Sequence, residues 1–249
     1  MDRSVYIDMA RTEKIHFWYR GRAAIIKSII SSLHLPVNSK ILEVGCGTGG
    51  NLDMLSFFGV VDAFEMDDEA RKIATKKSNG LANVVQGVCP HAIPFQDKRY
   101  DLICAFDVLE HIMDDRGTLQ ALHAMLANKG YLLITVPAYQ WMYGQEDIRL
   151  HHFRRYGKSE VAKKFSDAGY SVLKLTSINM FLFPVVVITR FMENFTKRSL
   201  INAHSIPGLG LNDLLRAIFS SEKSLIRFFN LPFGVSILCL AKKVESKSN

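Results

Sequence analysis

The sequence contains no apolar run that could cross a lipid bilayer. Its longest uninterrupted apolar stretch, from Met180 to Ile188, falls far short of the ~20 residues that a membrane-spanning helix needs. The first residues, MDRSVYIDMARTEK, carry charges throughout and lack the apolar core of a secretory leader. These absences predict a cytoplasmic protein.

Cysteines are few and widely separated. The four of them are Cys46, Cys89, Cys104 and Cys239, and they form no C-x-x-C pair and show no metal-ligand spacing. A disulfide framework is therefore not expected, and a reducing compartment is. The sequence predicts no metal site.

The composition is that of a globular protein with an excess of positive charge. Of the 249 residues, 48% are hydrophobic and 22% are charged, and the chain is long enough for one large α/β domain. The formal net charge of +7 favours an anionic partner, such as nucleic acid, a phosphorylated substrate or a membrane surface. Charge alone does not choose among these partners.

Apolar strands alternate with amphipathic helices along most of the chain. The predicted strands are KILEVGC, VVDAFEM, NVVQGV, YDLICAF, YLLITVP, SVLKLTS and VSILCLAKK. Helices are predicted over 11–35 and over DRGTLQALHAMLANKG, where Gly130 ends the helix. This alternation predicts an α/β fold with a doubly wound sheet and helices on both faces, whose ligands bind beyond the carboxyl ends of the strands.

Two segments stand outside this alternation. Residues 1–36 are expected to form an N-terminal helical cap or lid ahead of a domain over 37–249. Residues 179–233 separate the last two strands, and apolar residues at helical spacing predict a helical insertion there. Its helices are expected to cover the sheet or to pair with a second copy in a homodimer. The alternative is a peripheral membrane contact, because basic residues lie beside the apolar faces.

A glycine-rich turn, ILEVGCGTGGN, follows the first predicted strand directly. Its glycines permit a tight turn and let a ligand approach the backbone, and the start of the next helix favours negative charge. Gly45, Gly47 and Gly50 also satisfy G-x-G-x-x-G, so a dinucleotide site is an alternative. Glu65, at the end of the second strand, is expected to bind ribose hydroxyls in either case. Glu43 lies inside the first strand, where a carboxylate suits a ligand with an amino or sulfonium group.

Four segments together resemble the class I S-adenosylmethionine-dependent methyltransferases. They are EVGCGTG, FEMDDEA, IPFQDKRYDLICAFDVLEHI and LANKGYLLITVP, and the resemblance covers residues 38 to about 175. It implies a Rossmann-like sheet of seven strands and S-adenosylmethionine as cofactor, with S-adenosylhomocysteine as product. The cofactor contacts that it implies are Glu43, Gly45, Cys46, Gly47, Gly49, Glu65, Met66 and Asp107. Where the family often has an acidic residue that binds adenine, this chain has Val88, so the backbone of Val88 and Cys89 is expected to substitute.

Candidate catalytic and acceptor-binding residues follow the fourth and fifth strands. His111 in DVLEHI is either a general base or a residue that shapes the turn. In the loop VPAYQWMYGQEDIRLHHFRRYGKSE, Asp147 and His151 are further catalytic candidates. The residues expected to bind the acceptor are Trp18, Tyr139, Trp141, Tyr143, His152, Arg154, Arg155 and Tyr156. In the alternative interpretation the loop arginines pair with Glu146 and Asp147, Tyr156 packs below them, and Trp18 belongs to the core.

Missing motifs count against some classes of methyltransferase. The fourth strand is not followed by N-P-P-Y or D-P-P-Y, and no Pro-Cys stands where cytosine-C5 enzymes place their nucleophile. The N-terminal stretch EKIHFWYRGR together with HHFRRY resembles a bacterial subgroup of the class I methyltransferases. This resemblance implies a small-molecule, sugar or lipid-linked acceptor. An RNA methyltransferase is the alternative, supported by the net charge, and a nicotinamide-dependent oxidoreductase is a weaker one.

Overall fold

The computed structural model describes residues 3–196, 206–208 and 210–244, which fold around one seven-stranded sheet. The strands are β1 Ser39–Val44, β2 Gly59–Glu65, β3 Ala82–Gln86, β4 Tyr100–Phe106, β5 Leu126–Pro137, β6 Tyr170–Ile178 and β7 Ser236–Lys243. Their order is β3-β2-β1-β4-β5-β7-β6, and β7 runs antiparallel to both of its neighbours. The predicted doubly wound architecture is confirmed.

Helices cover both faces of this sheet. They are α1 Arg3–Thr12, α2 Phe17–Ser31, α3 Leu52–Ser56, α4 Asp68–Ser78, α5 Asp115–Met125, α6 Gln145–Arg149, α7 Lys158–Asp167, α8 Phe183–Thr196 and α9 Leu211–Phe228. On one face, α5 and α7 bury leucine, valine and phenylalanine side chains against the sheet. On the other, α2, α3, α4 and α9 form a second apolar core. Both faces are buried, which explains why the central strands read as nearly continuous apolar runs.

Two helix predictions are wrong in their bounds. The single helix predicted over 11–35 is two helices, because His16 caps the start of α2 by accepting a hydrogen bond from the Trp18 N–H at 3.2 Å. The helix predicted to end at Gly130 ends at Met125, and β5 starts with the next residue. Here pairing with β4 overrides local helix propensity, since Leu126 is buried opposite Tyr100.

The insertion between β6 and β7 contains α8 and α9, while residues 197–205 and 209 lie outside the described part of the chain. Helix α9 packs against α2, where the Trp18 and Phe219 rings lie 5.4 Å apart and Gly21 leaves room for the Phe219 ring. Asn212 accepts a hydrogen bond from the Phe17 N–H at 2.9 Å. Within the described residues, no helix is both long and apolar enough to traverse a bilayer.

Candidate functional site

One large cavity lies at the carboxyl ends of β1, β2 and β4. Its volume is about 1790 Å³, and it is walled by the glycine turn, the N-terminal helices, the segment after β4, the loop after β5 and helix α8. Every residue predicted to contact the cofactor lines it, and these are Glu43, Gly45, Cys46, Gly47, Gly49, Glu65, Met66, Val88, Cys89 and Asp107. The sequence pattern therefore located the cavity, as the rule for open α/β sheets predicts.

The glycine turn is held in place by Glu65. One carboxylate oxygen of Glu65 accepts the Gly47 N–H at 2.9 Å, and the other accepts the Asp67 N–H at 3.0 Å. Gly47 has a φ of +53°, a left-handed conformation that a residue with a Cβ adopts only with strain. Each carboxylate oxygen has a second lone pair, so Glu65 can still accept hydrogen bonds from two ligand hydroxyls.

Glu43 is a buried carboxylate with one unsatisfied oxygen. Its Oε1 accepts a hydrogen bond from the Asn51 side chain at 2.9 Å, whereas no described residue bonds Oε2. Burial raises the pKa of Glu43 to about 7, against the lowering effects of Asn51 and Arg22. The resemblance also implies that Glu43 orients the glycines, but the hydrogen bond to the Gly47 N–H comes from Glu65. Its open oxygen faces a cavity where a ligand ammonium would satisfy it.

We expect the substitution Glu43→Gln to stabilise the protein above neutral pH. Between the ordinary pKa of 4.5 and the raised value of about 7, the folded protein keeps a proton that the unfolded chain loses. Stability therefore falls as the pH rises through this range, by up to about 3 kcal/mol, and glutamine removes this loss. Urea unfolding at pH 5 and pH 8 measures the free energy of unfolding. The variant should be more stable than the wild type mainly at pH 8. An equal difference at both pH values would contradict the prediction.

The end of β3 does not present the Val88 backbone as expected. The Val88 N–H and carbonyl are both bonded to Ala92, at 3.0 and 2.8 Å. The predicted use of the Val88 N–H for adenine is therefore not supported by the geometry, although Val88 and Cys89 do line the cavity. Met66 also lines it and is 64% exposed, which leaves its side chain accessible for contact with a flat ring.

Two polar links tie the N-terminal helices to the sheet, and the sequence did not reveal either. Arg22, buried in α2, pairs with the Asp107 carboxylate, which also accepts the Thr135 hydroxyl at 2.8 Å. Glu13 accepts the Thr48 hydroxyl at 3.0 Å and pairs with a lysine of α4. Both acidic residues thus have partners distant in the sequence, and residues 1–36 form one wall of the cavity. A lid movement of this wall stays a prediction.

Asp147 occupies a structural position rather than that of a base. Its carboxylate is fully buried and accepts hydrogen bonds from the Gly144 N–H, from His152 and from Arg155, each at 2.8–2.9 Å. Burial raises the pKa of this carboxylate. The hydrogen bond from His152 and the charge of the Arg155 guanidinium outweigh that effect and lower the pKa to about 2. A carboxylate with this pKa is a poor proton acceptor at neutral pH. The assignment of Asp147 as catalytic is therefore corrected to an orienting role.

The loop follows the alternative interpretation only in part, because one arginine pairs as it predicts and the other pairs with a distant aspartate. Arg155 is 6% exposed and pairs with Asp147, while Arg154 pairs with Asp115 at 3.0 Å. Tyr156 is buried and donates its hydroxyl to the same Asp115 at 2.9 Å. Arg155 still borders the cavity, whereas Arg154 and Tyr156 do not. Acceptor binding by Arg154 and Tyr156 is therefore not supported by the geometry, whereas acceptor binding by Arg155 stays a prediction.

The loop aromatics are also turned away from the cavity. Tyr139 and Trp141 stack with ring centroids 5.6 Å apart, and both contact Phe183 at the start of α8. Tyr143 donates its hydroxyl to the His152 carbonyl at 2.7 Å. None of the three loop aromatics borders the cavity, so their predicted binding of the acceptor is not supported by the geometry. Trp18 does border it while packing on α9, so both of its predicted roles are compatible.

The predicted catalytic histidines do border the cavity, beside a buried glutamate. His111 belongs to a 3₁₀ helix, Leu109–His111, after β4, and its ring lies 4.6 Å from the ring of His152. Burial and the neighbouring His152 lower the pKa of His111 to about 3, so it is a weak base at neutral pH. His151 is exposed at the cavity edge. Burial raises the pKa of Glu110 to about 8.

These features match what S-adenosylmethionine requires. The unsatisfied Glu43 oxygen fits the ammonium of its methionine part, and Glu65 fits its ribose hydroxyls. A Cβ at Gly45 would lie 3.0 Å from the Val108 side chain, whereas one at Gly47 would meet nothing nearer than Met9 at 4.0 Å, so a ligand can approach the backbone at Gly47. When bound, this cofactor supplies a methyl group that is already activated by its sulfonium.

Comparison with known proteins agrees with this chemistry. The family described as "Methyltransferase domain" matches residues 17–182. The cycloartenol-C-24-methyltransferase 1 of Oryza sativa subsp. japonica is 25% identical over 128 residues, which are 46% of this chain and 37% of that protein. The ubiquinone biosynthesis O-methyltransferase of Bartonella quintana is 26% identical over 108 residues, 42% of this chain and 43% of that protein.

Solved structures share the fold at low sequence identity. An S-adenosylmethionine-dependent methyltransferase from Thermotoga maritima superposes with a TM-score of 0.61 over 97% of this chain and 96% of its own, at 15% identity. The [4+2]-cyclase SpnF also superposes, with a TM-score of 0.59 over 90% of this chain and 82% of its own, at 15% identity. The chain spans 37% to 66% of the length of the first curated relatives that it matches. Fold likeness alone therefore does not determine the reaction.

Proposed function

Because the chain belongs to the family of methyltransferase domains, we propose that it transfers a methyl group from S-adenosylmethionine to a small-molecule, sugar or lipid-linked acceptor. The observation that carries this proposal is the single cavity of about 1790 Å³ at the glycine turn. One drug-sized ligand needs roughly 300–1,000 Å³, so cofactor and acceptor can lie in this cavity together. In-line methyl transfer requires that arrangement, because the protein contributes mainly by positioning the two reactants.

The acceptor end of the cavity favours a ligand with an apolar part. Leu182, Val185 and Val186 from the region of α8 line it, together with Leu215 from α9 and Phe17 from α2. Two of the relatives are named for cycloartenol and for ubiquinone biosynthesis, and these names support an acceptor of lipid character. The glycan and small-metabolite alternatives stay open.

The test is transfer of labelled methyl groups to fractionated acceptors. The purified protein is incubated with labelled S-adenosylmethionine and separate lipid, glycan, metabolite and RNA fractions. We expect label in one of the first three fractions, with formation of S-adenosylhomocysteine. Label in RNA alone would establish the RNA alternative. Calorimetric binding of NAD without binding of S-adenosylhomocysteine would establish the oxidoreductase instead.

Membrane contact through α8 is a second part of the proposal. The outer face of α8 exposes Ile188, Phe191 and Met192, at 48% to 74% of their surface. Residues spaced in this way lie on one side of a helix, and an apolar face of this kind suits the boundary region of a lipid surface. A lipid-linked acceptor would then reach the cavity from the surface on which α8 lies.

We expect Phe191→Asp to reduce co-sedimentation with anionic phospholipid vesicles by roughly tenfold or more. Phe191 is 74% exposed, and burying its ring in lipid contributes about 1.5–3 kcal/mol. Phe57→Asp is a matched control, because Phe57 is 72% exposed beside α3 and away from α8. If wild-type protein stays in the supernatant, or if both variants lose binding equally, α8 is not the contact surface.

A further inference from the structure

Three side chains that can bind metal meet at the floor of the cavity. Glu110 and His111 come from the 3₁₀ helix after β4, and His152 comes from the loop after α6. One candidate ligand atom from each lies within 4.8 Å of the other two. The loop is fixed against the 3₁₀ helix because the Phe153 N–H donates to the Glu110 carbonyl at 2.8 Å.

Glu110 is the strongest indication that something is bound there. Its side chain is 0% exposed, and no other described residue donates a hydrogen bond to either carboxylate oxygen. Burying a carboxyl group without partners is costly, whether it is ionised or protonated. Arg22 and Arg155 are near enough to attract it, but each is bonded to a different carboxylate. A ligand with positive charge would satisfy both free oxygens.

The two histidines are oriented as metal ligands usually are. The Nδ1 atom of His152 lies 2.8 Å from an Asp147 oxygen, and this carboxylate holds the proton on Nδ1 and leaves the lone pair on Nε2. The His111 ring makes a hydrogen bond with the His151 backbone, which fixes its orientation as well. A carboxylate or a carbonyl behind each imidazole is the common outer shell of a metal-bound histidine.

We propose that Glu110, His111 and His152 bind a divalent transition-metal ion at the acceptor side of the cavity. Two imidazoles and one carboxylate suit zinc, iron or manganese, whereas magnesium and calcium prefer oxygen ligands. Bonds of about 2.0–2.2 Å place two ligand atoms at most about 4.4 Å apart, so small side-chain rotations would close the site. This site revises the sequence-based expectation that the protein uses no metal.

The use of the ion rests on the proposed methyl transfer. Three protein ligands leave coordination positions open toward the cavity, where a hydroxyl of the acceptor can bind and lose its proton more easily. The hydroxyl proton passes to solvent water and the new bond forms between the acceptor oxygen and the methyl carbon. The sulfur–methyl bond breaks with its electron pair going to sulfur. The ion would thus promote deprotonation of the acceptor, the role for which His111 and His151 were candidates as general bases.

Metal binding is testable without any acceptor. Protein dialysed against a chelator and then against buffer is titrated with Co²⁺ while visible d–d absorption is recorded, and with Zn²⁺ and Mg²⁺ in a calorimeter. We expect one Co²⁺ per chain that Zn²⁺ displaces, and Mg²⁺ binding at least tenfold weaker than Zn²⁺ binding. Absence of stoichiometric Co²⁺ and Zn²⁺ binding to folded protein would overturn the proposal.

Variants locate the ion. Glu110→Gln and His152→Ala should each weaken Zn²⁺ binding at least tenfold, while thermal unfolding shows that they are folded. His123→Ala is the matched control, because His123 bonds the Gly169 carbonyl away from the cavity. Unchanged affinity in both site variants would overturn the site. Binding of S-adenosylhomocysteine is measured in parallel. If the protein binds S-adenosylhomocysteine but no metal ion, the metal site is refuted and the proposed function is not. If it binds a metal ion but no S-adenosylhomocysteine, the proposed function is refuted and the metal site is not.

Discussion

Replacing Glu65 by alanine is expected to weaken binding of S-adenosylhomocysteine several hundredfold. The ribose hydroxyls would lose a charged acceptor, and each hydrogen bond to a charged group contributes about 1.5–3 kcal/mol. The substitution also releases the Gly47 N–H, so the glycine turn loses its anchor. Calorimetric titration of wild type and variant at the same pH and salt concentration gives the ratio of the dissociation constants.

Two further variants separate ligand contact from loss of structure. Glu65→Gln keeps one carbonyl oxygen as acceptor, so its affinity should lie between those of the alanine variant and the wild type. Glu69→Ala, in the first turn of α4 and outside the cavity, should bind like the wild type. If Glu65→Ala binds S-adenosylhomocysteine as tightly as the wild type does, the cavity holds the cofactor differently or does not hold it.

Asp147→Ala is expected to reduce the free energy of unfolding by about 3–5 kcal/mol. The substitution leaves the guanidinium of Arg155 buried without its partner, and removing one member of a buried ion pair costs this much. The Gly144 N–H and His152 lose their acceptor at the same time. Urea unfolding followed by circular dichroism measures the change.

The double variant Asp147→Ala, Arg155→Met tests the cause of that loss. If the unpaired guanidinium is responsible, the double variant should be more stable than Asp147→Ala alone. Asp167→Ala is the control, because Asp167 forms an exposed pair with Lys163 within α7 and should change stability little. A similar loss in Asp147→Ala and Asp167→Ala would show that burial of the pair is not the cause.

The cofactor end of the site was predictable because its signals are local. A strand, a glycine turn and an acidic residue at the end of the next strand determine one another's positions through the parallel register of β1 and β2. The position of Glu65 follows from this register alone. The exception is Val88. Its backbone N–H and carbonyl form hydrogen bonds with Ala92 in an isolated antiparallel bridge, which the spacing of apolar residues in the sequence does not predict.

The acceptor end was predicted less well because its charges have distant partners. The stretch HHFRRY has the composition of a ligand-binding cluster. In the structure, however, Arg154 pairs with Asp115, 39 residues earlier in the chain. Arg155 and His152 share Asp147, and only the fold shows that this carboxylate is buried. The burial of Glu110, which stands beside His111 in DVLEHI, was not predicted for a similar reason. A glutamate in a predicted turn is normally exposed, and nothing in the sequence indicates its complete burial.

The packing of α2 on α9 also has a consequence during synthesis. The Phe17 N–H and the Asn212 side chain bond to each other across 195 residues of chain. As the chain leaves the ribosome, β1 to β5 can pair before α9 has been translated, whereas α2 still lacks one of its apolar partners, α9. The wall that Trp18 and Arg22 contribute is therefore completed late, and the newborn protein acquires its binding cavity only after nearly all of its described residues have emerged.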